Sequence, residues 1–180
     1  MSPTIRPARE ADVPAIAAIY AVEVRERVNT YEYEVPDEAE MLARMHRTLA
    51  AGYPYLVAEH GGEVLGYAYA GRYRSRMAYQ WAVENSVYVA DAAHGQGIGT
   101  LLMQALIAAC EACGFRQMVA VIGEPANAAS IRLHQKLGFT LIGVFPALAF
   151  KHGRWLDTVQ MQRALGTGAD TPPSGLEPFR

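Results

Sequence analysis

Residues 94–106 read HGQGIGTLLMQAL. Glycine recurs at alternate positions, Gly95, Gly97 and Gly99, and an apolar run without Gly or Pro follows at once. That run reads as a helix, so the glycines stand at its mouth. The first N–H groups of a helix lack internal partners, and the helix dipole adds partial positive charge there. Glycines leave this backbone open to close approach by phosphate oxygens. The stretch therefore points to a loop that cradles a phosphate-bearing cofactor. A glycine-rich turn entering an ordinary helix is the plainer alternative, because short glycine patterns recur by chance.

The surroundings of the loop narrow the cofactor. A dinucleotide fingerprint reads G-x-G-x-x-G in the first βα turn and has an acidic residue about 20 positions on. Here the loop is mid-chain, the spacing is G-x-G-x-G, and the next strand, 119–122, ends without an acid before Glu124. No Gly-Lys-Ser/Thr closes the loop, so the Walker A pattern is absent as well.

The rest of the chain supplies alternating helices and hairpins. Residues 4–8 form a short strand. Asp12 is placed to cap a helix to about Arg27, with Val13, Ile16, Ala17, Tyr20 and Val24 as its apolar stripe. Residues 28–36 are irregular. Asp37 with Glu40 has the spacing of a capping box before Met41, Leu42, Met45 and Leu49. Residues 53–59 and 63–71 read as a hairpin about His60-Gly61-Gly62, followed by a loop over 72–80. A strand over 81–90, the glycine loop, a helix over 98–113 and a strand over 116–122 come next. Asn127 opens a helix to Lys136, which Gly138 ends, and a last hairpin covers 140–164. This order predicts an α/β (α+β) domain, a mixed and mostly antiparallel sheet flanked by helices. One domain is expected over 1–165, with a Pro/Gly-rich tail over 166–180 expected to lack order.

Composition excludes several classes. The 180 residues carry a net charge of −2 and are 51% hydrophobic, which suits a soluble globular domain. No basic excess points to nucleic acid, no apolar run is long enough to span a bilayer, and no signal peptide opens the chain, so the cytoplasm is expected. Cys110 and Cys113 form a CxxC inside a helix with no second pair. Small packing residues account for them better than a redox or metal site, and no metal is expected.

Two polar residues stand out on apolar faces. Along the strand 81–90, Trp81, Val83, Val87 and Val89 share one side, and Ala82, Glu84, Ser86 and Tyr88 the other. A carboxylate beside aromatic and apolar groups has a raised pKa, which suits a general base; a solvent-facing Glu on a half-exposed sheet is the alternative. His134 lies in the arc of Ile131, Leu133 and Leu137, where a satisfied structural histidine is the commoner reading.

Strand, then R/Q-x-x-G-x-G/A, then helix is the coenzyme A signature of the GNAT superfamily of N-acetyltransferases, and HGQGIG resembles it, with His94 where Arg or Gln is usual. IRPAREADVPAIAAIY and NAASIRLHQKLGF resemble that superfamily's first strand-helix unit and its pantetheine-flanking helix. YAGRYRSRMAYQWAVENSVYV, VAVIGEPANAASIRLHQKLGF and AFKHGRWLDTVQMQ resemble the phosphinothricin and methionine sulfoximine N-acetyltransferases more narrowly.

The resemblance implies acetyl-CoA as co-substrate and a small amino-acid-like acceptor, acetylated on its α-amine by direct transfer. It implies Glu84 as general base and His134 as acid, second base or substrate orienter. Coenzyme contacts are expected from Gly95, Gln96, Gly97, Ile98, Gly99 and Thr100 at the pyrophosphate. Val87, Tyr88 and Val89 follow the strand bulge that GNAT folds carry, and should meet the pantetheine arm; Asn127 and Ser130 complete the set. Arg74, Arg76, Tyr79 and Tyr88 are expected at the acceptor, since bidentate guanidinium contacts suit its acidic groups. Tyr31 or Tyr33 would wall the pocket, and a homodimer is expected. A different acceptor amine, or a non-catalytic acyl-CoA sensor, would keep the same cofactor.

Overall fold

A computed structural model describes residues 3–173. The elements are β1 (Thr4–Pro7), α1 (Val13–Glu26), α2 (Glu38–Ala50), β2 (Tyr55–His60), β3 (Glu63–Arg72), β4 (Ala82–Val89), α3 (Ile98–Ala112), β5 (Gln117–Ile122), α4 (Ala128–Lys136), β6 (Thr140–Lys151) and β7 (Arg154–Ala164). Seven strands form one sheet in the order β1-β2-β3-β4-β5-β7-β6. Its neighbours are antiparallel except β4 and β5, which run parallel. This is the mixed sheet with flanking helices that the element order implies.

Strand alternation sends side chains to two cores. Val57, Tyr55 and Tyr67 pack on Val13, Ile16, Tyr20 and Val24 of α1 and on Met41 and Met45 of α2. Ala58, Ala68, Val83, Met118 and Ala120 pack on Leu102, Met103, Leu106 and Cys110 of α3. Gly66 lets α3 sit close, because a Cβ there would lie 2.7 Å from the Tyr88 carbonyl oxygen.

The parallel pairing of β4 with β5 stops after Glu84–Val119, while β4 stays paired with β3 from Val83 to Val89 in unbroken register. The strands therefore part beyond Glu84. A bulge in β4 was the expected device for opening the sheet; here the opening is this divergence, and the register shift lies between Ala58 and Glu59 of β2.

Caps follow the sequence with two exceptions. Asp37 accepts from the Glu40 N–H at 2.8 Å, but the Glu40 carboxylate goes to Arg44 and Arg47 and does not close a box. Asp12 precedes α1 without capping it. Its carboxylate accepts the Arg9 N–H and both guanidinium ends of Arg6, since a nearby cation outcompetes the helix N–H groups.

The start of the tail is not without order. Arg116 donates to the Gly168 carbonyl at 2.9 Å and to Thr171, fixing residues 166–173 in a turn. Residues 174–180 lie outside the described residues.

Candidate active site

The divergence of β4 and β5 opens a cleft of about 710 Å³. One wall is the glycine loop and the first turn of α3. Gly95 and Gly97 adopt φ of 75° and 79°, and space beside both is open. Gly97 is the N-cap of α3, so the N–H groups of Ile98, Gly99 and Thr100 stand free at the cleft. Gly99 serves packing instead: a Cβ there would touch Leu133 at 3.4 Å and Val89 at 3.7 Å. This cradle fits a pyrophosphate, and any side chain at Gly97 would be strained in it. His94 folds back, and its Nε2–H donates to the Val89 carbonyl at 2.9 Å, closing the end of β4.

The opposite wall is α4. Asn127 accepts the Ser130 N–H at 3.0 Å, the N-cap expected of it, and donates to Asn29 at 2.7 Å. Between the walls run Val87, Tyr88 and Val89, where β4 has no β5 partner. The Tyr88 ring turns away, edge-on to Tyr20 at 5.3 Å, so only its backbone serves the cleft floor.

Glu84 stands where the two strands part. Among the described residues its carboxylate has no hydrogen-bond or ionic partner, and burial pushes its pKa above the ordinary 4.5. Tyr31 and Tyr69 line the cleft beside it, and burial raises both phenols. An unpaired carboxylate in partly dry surroundings accepts protons readily.

His134 is 3% exposed. Nδ1 lies 2.8 Å from the Ser130 carbonyl oxygen, and Nε2 lies 3.1 Å from Asn85 Oδ1. Phe139 stands edge-on at 4.9 Å. Burial pulls the imidazole pKa below 6.5, and the Ser130 carbonyl pulls it back up.

The cleft brings together Glu84, Val87, Tyr88, Val89, Gly95, Gly97, Ile98, Gly99, Thr100, Asn127, Ser130 and His134. It leaves out Gln96, whose amide donates to the Ala92 carbonyl on the exposed outer side of the loop. It also leaves out Arg74, Arg76 and Tyr79. All three are exposed, and Arg74 lies over the Tyr73 and Tyr79 rings at 5.2 and 6.0 Å. Tyr31 lines the cleft and donates to or accepts from Thr158 at 2.6 Å; Tyr33 stays outside, bonded to the Phe150 carbonyl.

Several contributors escaped the sequence reading. Asn85 could have been found: the alternation that singles out Glu84 puts this amide on the Val83 side, where a buried amide needs partners. Arg27 and Asn29 carry no local signal. They belong to a strap, residues 27–30, that crosses the cleft. Buried Lys151 Nζ donates to the Arg27 and Thr30 carbonyls at 2.7 and 2.8 Å, Asn29 donates to Glu23, and Arg27 bridges Glu23 and Asp91.

Other expectations resolve simply. Cys110 is buried and its thiol is pushed up to about 12, which leaves it unreactive. No group of three His, Cys, Asp or Glu side chains able to hold a metal occurs among the described residues. No helix among them is long and apolar enough to cross a membrane. Asp157 Oδ1 accepts the N–H of Ala147, whose φ is 50°, and so supports the kink in β6. Trp155 packs edge-on to Phe150 at 5.4 Å.

Known proteins match this arrangement over nearly the whole chain. A phosphinothricin N-acetyltransferase of Alcaligenes faecalis is 50% identical over 94% of this chain and 86% of its own. An L-methionine sulfoximine/L-methionine sulfone acetyltransferase of Pseudomonas aeruginosa is 43% identical over 96% of this chain and all of its own. The crystal structure of a GNAT superfamily phosphinothricin acetyltransferase from Sinorhizobium meliloti, in complex with AcCoA, superposes with a TM-score of 0.93 at 49% identity, covering 99% of this chain and 97% of that one. Residues 16–139 match the acetyltransferase (GNAT) family, and the chain belongs to it.

Proposed function

We propose that this enzyme moves the acetyl group of acetyl-CoA directly to the α-amine of a small amino-acid-like acceptor of the phosphinothricin or methionine sulfoximine kind, with Glu84 as general base. The observation that carries the reading is the Glu84 carboxylate: unpaired, partly buried and at the parting of β4 and β5. The cofactor's phosphates fit the α3 cradle, and its arm fits along Val87–Val89 toward Glu84. The names and near-complete coverage of the relatives support the acceptor class.

The chemistry has three needs. The acceptor ammonium loses a proton, the carbonyl oxygen takes negative charge, and the thiolate leaves. Glu84 has free lone pairs for that proton. Unpaired β4 backbone N–H groups supply donors for the developing oxyanion. In a single chain Arg74 and Arg76 lie outside the cleft, so their proposed grip on the acceptor requires the 72–80 loop to fold over its mouth. Arg74→Ala and Arg76→Ala then raise the acceptor KM and leave that of acetyl-CoA unchanged.

We place the reaction in the cytoplasm and the protein in a homodimer. The support for the second is the edge strand β6, which exposes Leu141, Ile142, Val144, Phe145 and Leu148.

Free-thiol release from acetyl-CoA tests the proposal. Phosphinothricin, methionine sulfoximine and methionine sulfone should each saturate turnover; spermidine and a short peptide should give none. Turnover only with spermidine or peptide would retain the cofactor and discard the acceptor class.

A further inference from the structure

His134 carries a hydrogen-bonding conflict that its neighbours decide. The Val119 carbonyl points into the gap where β5 loses β4. Asn85 Nδ2 donates to it at 3.0 Å, standing in for the missing ladder N–H. A carbonyl can only accept, so this bond fixes which way the Asn85 amide faces. Its Oδ1 must then point at His134 Nε2. On the other side of the ring, Nδ1 faces the Ser130 carbonyl, another pure acceptor. Both ring nitrogens therefore look at oxygen acceptors, and a bare lone pair on either would face a lone pair.

We propose that Asn85 is a positioning residue that keeps a proton on Nε2 of His134, so that His134 enters acetyl transfer as a proton donor and never as a second base. The inference rests on the acetyl-transfer reading above. The donated proton goes to the departing coenzyme A thiolate: the Nε2–H bond breaks, the S–H bond forms, and the ring keeps its Nδ1–H toward Ser130. The amine's proton goes to Glu84. The neutral ring then presents its Nε2 lone pair to Asn85 Oδ1, which favours prompt reprotonation from water. Burial works against the charged ring, and the two acceptors offset it. The other charged or titratable groups lining the cleft are Glu23, Arg27, Glu84, His94 and the phenols of Tyr20, Tyr31, Tyr69 and Tyr88; none is hydrogen-bonded to the imidazole among the described residues.

Long-range proton–nitrogen NMR of the histidine rings tests this in the intact protein without substrate. In the wild type at about pH 6, His134 should carry protons on both ring nitrogens. Asn85→Leu should lower the proton affinity of His134 about tenfold or more, one pKa unit. Asn85→Asp keeps the acceptor, adds charge and should raise that affinity above the wild type. With Asn85→Leu, kcat should fall while the KM of acetyl-CoA holds. A residue that only packs would shift both variants the same way. A bare Nε2 in the wild type, or identical ring titrations in all three proteins, overturns the proposal. Should the variants fail to fold, the wild-type spectrum alone decides it. The ring titration needs no turnover, so it can fail while acetyl transfer stands, and an inactive protein would still give a readable spectrum.

Discussion

At the scale of single residues, Glu84 is useful to catalysis and unfavourable to folding for the same reason. Its carboxylate is held in partly dry surroundings without a partner. Its folded-state pKa lies above the unfolded value near 4.5, so the native state binds the proton more tightly. Stability from this group therefore falls as pH rises from about 4.5 through the raised value. Glu84→Gln should melt above the wild type at pH 7, and thermal scans below pH 4.5 should show that difference gone. Asp12 has the opposite sign. Arg6 holds its carboxyl below the ordinary 3.8, so its contribution is present above that value and lost as pH falls through the lower folded one. Asp12→Asn should cost about 2 kcal/mol at pH 7, read by denaturant titration, with acetyl transfer intact in the folded fraction. Glu84 was legible because alternation and an apolar run are local signals. The Arg6–Asp12 pair was not: Asp12 has the right spacing for a cap, and only the fold shows which donor wins it.

At the scale of elements, the strap 27–30 holds the cleft together. It binds α1 through Glu23, α4 through Asn127 and the β6–β7 hairpin through Lys151. Gly123 supports it from the end of β5, where a Cβ would lie 1.9 Å from the Val28 carbonyl oxygen. Backbone cannot yield as a side-chain tip does. Gly123→Ala should therefore destabilise by about 1–3 kcal/mol and raise the KM of acetyl-CoA, measured by chemical denaturation and steady-state kinetics. The α3 cradle was legible from glycine spacing, since the need for φ above zero is written in the residue type. The strap read as irregular chain, because each of its anchors is a contact between distant segments with no periodicity of its own.

At the scale of the whole molecule, the open sheet and the apolar edge strand define two uses of one fold. The opening between β4 and β5 is the active cleft, and the exposed β6 side chains are the proposed dimer face. Ile142→Lys with Leu148→Lys should shift the protein from dimer to monomer in analytical ultracentrifugation; a wild type that sediments as a monomer contradicts that assignment. Element order carried the sheet class into view. It could not show the arginine loop outside the cleft, because loop placement depends on tertiary packing. The central claim is that Glu84 acts on the acceptor proton and not on cofactor binding. Its most direct measurement pairs kcat/KM for the acceptor with calorimetric acetyl-CoA affinity, in wild type and Glu84→Gln. The account predicts a loss of kcat/KM of about 10²–10⁴-fold with acetyl-CoA affinity unchanged. Equal turnover by the two proteins would contradict it.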